Sequence, residues 1–212
     1  MKGNKIQKTK LLIVEGNHED DFFEAWLKHL GKTDVQPMPI GGKTLLGDNL
    51  KVLKSQSAFR QVETLVIVRD GDDNPAGAFT SVCGSLTGAG LAAPAIPWML
   101  PPGGAASPRI GVLILPDGSL DGALEELLIP TVSTDPLYPH AEALVAQAVS
   151  TLPIDTHPRN PPPKHRLGKA RVHAFLSTFE EPDKDQGKAA LAGVWDFNHA
   201  SLAPLGAILA AM

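Results

Sequence analysis

Three short aliphatic runs, at residues 11–14, 65–68 and 110–115, limit the fold more than any other feature of the sequence; only Gly111 interrupts them. Strands with one wet face alternate apolar and polar residues, whereas a continuous aliphatic run suits a strand buried on both faces. Between the runs the pattern changes. Phe22, Phe23, Trp26, Leu27 and Leu30 repeat at three and four residues, the spacing of a helix face, with Asn17 able to cap its start and Gly31 to end it. Strand alternating with helix predicts an α/β fold, a mostly parallel sheet flanked by helices.

The remaining segments fill out this plan. Residues 35–40 read as a further strand despite two prolines, and Gly41-Gly42 turns the chain into a helix over 43–59. A helix over 76–86 precedes a Gly-, Ala- and Pro-rich stretch, 87–108, that has no assignment beyond a short strand near 96–100. Leu120, Leu124, Leu127 and Leu128 mark one helical face. Pro139 opens another helix with Leu144, Val145, Ala148 and Val149 inward. Residues 151–163 carry five prolines and read as a loop; helices over 164–179 and 202–212 follow. The expected division is a core over 1–130 and a helical C-terminal extension over 131–212 packed on it.

Composition removes several classes. With 43% hydrophobic and 20% charged residues in a chain of 212, a large packed core is expected rather than disorder. The single cysteine, Cys83, excludes an internal disulfide and a cysteine zinc cluster. The basic N-terminus is followed by only four apolar residues, too few for a signal peptide or a membrane span, so a cytoplasmic protein without membrane contact is expected. A net charge of −4 gives no global attraction to nucleic acid, so such binding needs a local patch or bound cations.

Two of the aliphatic runs end in acids: Glu15, with Glu19 four residues on, and the pair Asp70 and Asp72. The C-terminal ends of parallel strands share one edge, where ligands bind, so these acids are expected to converge. Clustered carboxylates repel unless protons or divalent cations neutralise them, and oxygen ligands without cysteine or paired histidine point to Mg²⁺ or Mn²⁺. Neighbouring acids have plainer roles. Asp20 and Asp21 suit the first turn of any helix, and Asp73 and Asn74 suit a turn.

The stretches "LLIVEG" and "TLVIVRDGD", with Glu19 completing an E-G-x-x-E pattern, resemble the Toprim fold of type IA and type II topoisomerases, bacterial primases and the overcoming-lysogenization-defect nucleases. The likeness spans roughly residues 10–130 and implies a Rossmann-like core. "GALEELLIP", "KARVHAFL" and "GVWDFNHASLAPL" further resemble a small family of stand-alone Toprim-related proteins. No ATPase domain, zinc ribbon or primase module is recognisable, and the sole tyrosine, Tyr138, lies in a Pro-rich segment, which argues against a topoisomerase.

The resemblance implies one or two Mg²⁺ or Mn²⁺ ions held by Glu15, Glu19, Asp70 and Asp72. Glu125 or Glu126, whose helix starts shortly after the third aliphatic run, either completes the set, with Glu126 the nominated member, or lies on a solvated helix flank. The resemblance also implies cleavage of nucleic-acid phosphodiesters with Glu15, Asp70 and Asp72 as catalytic acids. Residues 159–171 hold five Lys/Arg and no acid; Lys164, Arg166, Lys169 and Arg171 are the candidate phosphate contacts, and Lys169 the candidate catalytic lysine. The "IGGKT" stretch at 40–44 lacks the first glycine of a P-loop and reads as a tight turn whose amides can greet an anion. Two other readings stay open: a non-catalytic module that binds a protein partner, and phosphoryl chemistry on a small nucleotide-like phosphate ester. Oligomeric state is not legible.

Overall fold

The computed structural model describes residues 5–102, 108–151 and 164–212, with side chains omitted at 164–166. The Pro-rich stretch 152–163 therefore lies outside the described residues, as do the side chains of Lys164 and Arg166. Four strands, β1 (Lys10–Val14), β2 (Val35–Pro39), β3 (Thr64–Asp70) and β4 (Arg109–Leu115), form one all-parallel sheet in the order β2-β1-β3-β4. Among the described residues eight α-helices accompany them: α1 (Asn17–His29), α2 (Leu46–Ser55), α3 (Pro75–Gly88), α4 (Glu125–Val132), α5 (Tyr138–Thr151), α6 (Lys164–Leu176), α7 (Gln186–Leu191) and α8 (Ala203–Ala211). This is the expected α/β architecture.

Successive strand residues point to opposite faces, so each aliphatic run feeds two cores. Leu12, Val14, Val66, Val68, Leu113 and Leu115 meet Phe22, Phe23 and Trp26 of α1, Leu128 of α4, Phe175 of α6 and Leu205 of α8. Leu11, Ile13, Leu65, Ile67, Val112 and Ile114 meet Leu50 of α2 and Val82 of α3. The C-terminal helices thus share a core with the first sheet face. Phe197 stacks on Trp26 at 5.7 Å between ring centroids and closes that layer from outside.

Both outer strands carry edge features. Ile40 N–H donates to Val14 O, so on β2 the even-numbered residues face β1 and the odd-numbered ones face outward. Pro37 and Pro39 are therefore outward, as prolines in sheets must be, and the Val35 carbonyl accepts from Lys8 Nζ at 2.8 Å. Alongside β4, Trp98 donates its backbone N–H to Val112 O at 2.9 Å and its indole N–H to Ile114 O at 2.8 Å.

Several expectations need correction. Residues 96–100 are turn and coil, with Trp98 at φ 58°, rather than a strand. The helix expected over 43–59 is a 3₁₀ turn (Lys43–Leu45), then α2, then a second 3₁₀ turn (Ser57–Gln61). Gly16, not Asn17, occupies the N-cap of α1. Leu120 lies in the loop before α4, 60% exposed; on α5 Leu144, 61% exposed, and Ala148 face solvent, while Val145 is buried as expected, together with Tyr138 and Ala141. Among the described residues no helix is long and apolar enough to cross a membrane.

Candidate functional site

The C-terminal edge of the sheet gathers the acids at the ends of β1 and β3. Glu15 follows the last residue of β1, and its carbonyl accepts from Gly42 N–H at 2.8 Å, which ties the strand end to the turn before α2. Gly16 leaves room for Glu19 to fold back: a Cβ at Gly16 would stand 2.9 Å from Glu19 Oε2. At the end of β3, Gly71 N–H donates to Leu115 O, and Asp72 exchanges two backbone hydrogen bonds with Gly122 at 2.8 and 2.7 Å. Asp72 adopts a left-handed φ of 52° to do so, a conformation that aspartate tolerates better than most residues. The Asp-Gly-Asp stretch is thereby fastened to the loop that starts α4. Asn74 accepts from Gly77 N–H at 2.8 Å and caps α3, in keeping with a turn role.

The start of α4 completes the cluster. Asp70 Oδ1 accepts from Leu124 N–H at 3.2 Å. Glu125 is 2% exposed, and its burial raises its pKa to about 7, with Lys169 opposing the rise. Glu126 turns back on its own helix and accepts from Ala123 N–H at 2.7 Å. Adjacent helical residues point about 100° apart, a consequence of 3.6 residues per turn, and here Glu125 faces the acids while Glu126, the member nominated from sequence, caps the helix.

Cations are interleaved with these carboxylates. Lys169 of α6 lies 3.5 Å from Asp70 Oδ2, Arg69 Nε lies 3.6 Å from Glu15 Oε1, and Lys43 Nζ lies 3.0 Å from Asp72 Oδ2. Burial pushes the Asp70 carboxyl well above its usual range, Glu125 adds to the rise, and Lys169 resists it. Burial also raises Glu15, against Arg69. Burial opposes the Lys169 ammonium, yet Asp70, Glu125 and Glu19 outweigh it and raise the Lys169 pKa. Glu15 Oε1 and Glu125 Oε2 are buried with no hydrogen-bond partner. Buried carboxylate oxygens left unsatisfied are costly, and a bound cation removes that cost.

Of the residues singled out in the sequence, Glu15, Glu19, Asp70, Asp72 and Lys169 are brought to this edge. Arg171 reaches away from it, 3.7 Å from Glu142 on α5. Arg69 and Lys43 were not anticipated as site residues. Arg69 sits at a strand position and Lys43 in a turn, and neither placement reveals which way the side chain points.

A second acidic group lies on α1. Asp20, Asp21 and Glu24 bring one carboxylate oxygen each within 4.8 Å of one another, a spacing that can hold a metal ion. Among the described residues no other trio of acids, histidines or cysteines is so tight. Asp20 lies in the first turn of α1, as expected, and is buried, at 3% exposure. Asp20 and Glu24 also line a cleft of about 580 Å³ against β2.

A family model described as "Protein of unknown function (DUF3226)" matches residues 9–212. No curated protein matches the chain. Among solved structures, the C-terminal region of the Xanthomonas campestris pv. campestris OLD protein is similar at 14% identity and a TM-score of 0.47, over 98% of this chain and 97% of that one.

Proposed function

The chain belongs to the DUF3226 family, described as of unknown function, and from the site of this member we propose a divalent-metal-dependent phosphoryl-transfer enzyme, nuclease-like, that cleaves nucleic-acid phosphodiesters on a Toprim-like core. One observation carries the reading. Glu15 and Glu125 place carboxylate oxygens inside the protein with no hydrogen-bond partner, beside Asp70 at the C-terminal edge of a parallel sheet. Hard cations neutralise such oxygens, and this edge is where α/β sheets bind ligands. The E-G-x-x-E and Asp-Gly-Asp patterns, and their resemblance to Toprim motifs, support the same reading.

Glu15, Asp70 and Glu125 would hold Mg²⁺ or Mn²⁺, with Glu19 and Asp72 beside them, and the ion would supply Lewis-acid polarisation of a phosphodiester. The protein's own groups do the rest. Lys169, kept protonated by Asp70 and Glu125, offers its ammonium to charge developing on the phosphoryl oxygens. Arg69 and Lys43 orient Glu15 and Asp72 by ion pairing. In this scheme residues 1–130 form the core, and the extension over 131–212 delivers Lys169 to it.

Calorimetric titration of Mn²⁺ and Mg²⁺ into wild type, Asp70→Asn and Glu24→Gln, with plasmid DNA and RNA cleavage assays alongside, tests the reading. Asp70→Asn is expected to lose binding and cleavage with an unchanged circular dichroism spectrum, and Glu24→Gln to keep both. Full cleavage by Asp70→Asn, or a wild type that binds neither cation at millimolar concentration, overturns it. Loss confined to Glu24→Gln would assign the metal to the α1 trio and overturn it too.

A further inference from the structure

Next to the acidic edge, between α2 and α3, lies a cleft of about 430 Å³ with a different chemistry. Lys43 and Arg69 line it together with the hydroxyl residues Thr44, Ser81 and Ser85, and its one acid is Asp48. Asp48 lies 3.3 Å from Lys51, which offsets its charge. The two cations are the ones whose ion pairs reach Asp72 and Glu15. They form the wall shared by the cleft and the acidic centre.

Both cations keep donor capacity after those contacts. An ammonium has three N–H donors and a guanidinium five. Arg69 Nη1 donates to Ala78 O at 3.4 Å and Nε faces Glu15 Oε1 at 3.6 Å, so the spare capacity lies in the remaining guanidinium N–H groups. Ser85 donates its hydroxyl to Ser81 O at 3.0 Å, which leaves its oxygen lone pairs to accept. Two cations flanked by hydroxyls in a concave surface match a phosphate and mismatch a metal ion.

We propose that this cleft is a phosphate subsite, holding the phosphate that neighbours the one at the acidic centre along a nucleic-acid strand. The inference rests on the function proposed above for that centre. It accounts for the placement of Lys43 and Arg69 on both sites: a strand crossing from cleft to centre would pass over both cations. It also gives the short turn at Gly41-Gly42 a use, since that turn leads directly into Lys43 and Thr44 of the cleft lining.

The test needs no turnover. ¹H–¹⁵N correlation spectra of the metal-free protein are titrated with inorganic phosphate at constant ionic strength, for wild type, Ser85→Glu and Asp70→Asn. Ser85→Glu places a like charge in the cleft without touching a residue of the acidic centre. Saturable shifts are expected at the amides of Thr44, Gly47, Ser81 and Ser85 in wild type and in Asp70→Asn, with affinity about tenfold or more weaker in Ser85→Glu. The proposal is overturned if wild type shows no saturable shift there, if Ser85→Glu binds as wild type does, or if Asp70→Asn abolishes the shifts. Failure of the metal reading shows elsewhere, as absent Mn²⁺ binding by wild type, and leaves the phosphate result interpretable.

Discussion

Replacing Glu125 by glutamine tests whether the fold holds this carboxylate against its own preference. The side chain is 2% exposed, and burial moves its pKa from 4.5 to about 7. The folded value lies above the unfolded one, so between those values the folded chain binds more protons than the unfolded chain. Stability therefore falls as pH rises through that window. A displacement of this size corresponds to about 3 kcal/mol once the group is fully ionised. Glutamine keeps the shape and removes the charge. It also relieves Asp70, whose pKa Glu125 helps to raise. Urea unfolding of the metal-free protein, followed by tryptophan fluorescence from pH 4 to 8.5, should show the two proteins equal near pH 4. At pH 8 the variant should be more stable by about 2–3 kcal/mol. Saturating Mn²⁺ should narrow or reverse the difference, because only wild type offers the full set of ligands to the ion. A stability difference that is flat across this pH range, or a variant less stable at pH 8, would refute the reasoning.

Two further perturbations probe how the site is held. Gly71→Ala would set a Cβ 2.8 Å from the Leu115 carbonyl oxygen and 3.2 Å from Pro75 Cβ, so backbone must move; a loss of about 1–3 kcal/mol is expected, with weaker Mn²⁺ binding because Asp70 and Asp72 flank the shift. An unaltered urea midpoint contradicts this. Trp26 is 1% exposed and its indole nitrogen has no hydrogen-bond partner, so Trp26→Ala should lose about 3–5 kcal/mol through packing alone. Trp26→Phe, which sacrifices no hydrogen bond, should lose well under half of that in the same assay; equal losses would show that the indole N–H matters.

The strands and the acids at their ends were legible because burial on both faces demands unbroken aliphatic runs, and parallel pairing then fixes which ends share an edge. The helix faces were less so. Leu144 fits a 3.6-residue period with Val145 and Ala148, yet the surface α5 meets lies on the Tyr138, Ala141 and Val145 side. The short α7 buries Gln186, Gly187, Ala189 and Ala190, small or polar residues that give no apolar signal. At the site, the choice between Glu125 and Glu126 depends on the rotation of α4, which is set by Asp70 and Glu126 binding the amides of Leu124 and Ala123. Tertiary contacts of that kind leave no local pattern. Ile96 and Met99 suggested a strand by composition, but Trp98 docks on β4 through its indole and a single amide, not as a ladder.

The two outer strands carry a consequence for self-association. Outward of β2, positions 37 and 39 have no amide hydrogen to give, and the Val35 carbonyl is already taken by Lys8. On the far side the Val112 and Ile114 carbonyls are taken by Trp98. A fifth strand, from a neighbouring copy or from an incompletely folded chain, would find the hydrogen-bonding ladder interrupted along either margin. Parallel sheets assemble slowly because their contacts are distant in sequence, and exposed margins invite edge-to-edge stacking in the meantime. Interrupting both margins disfavours edge-to-edge pairing of copies, one route to fibrils.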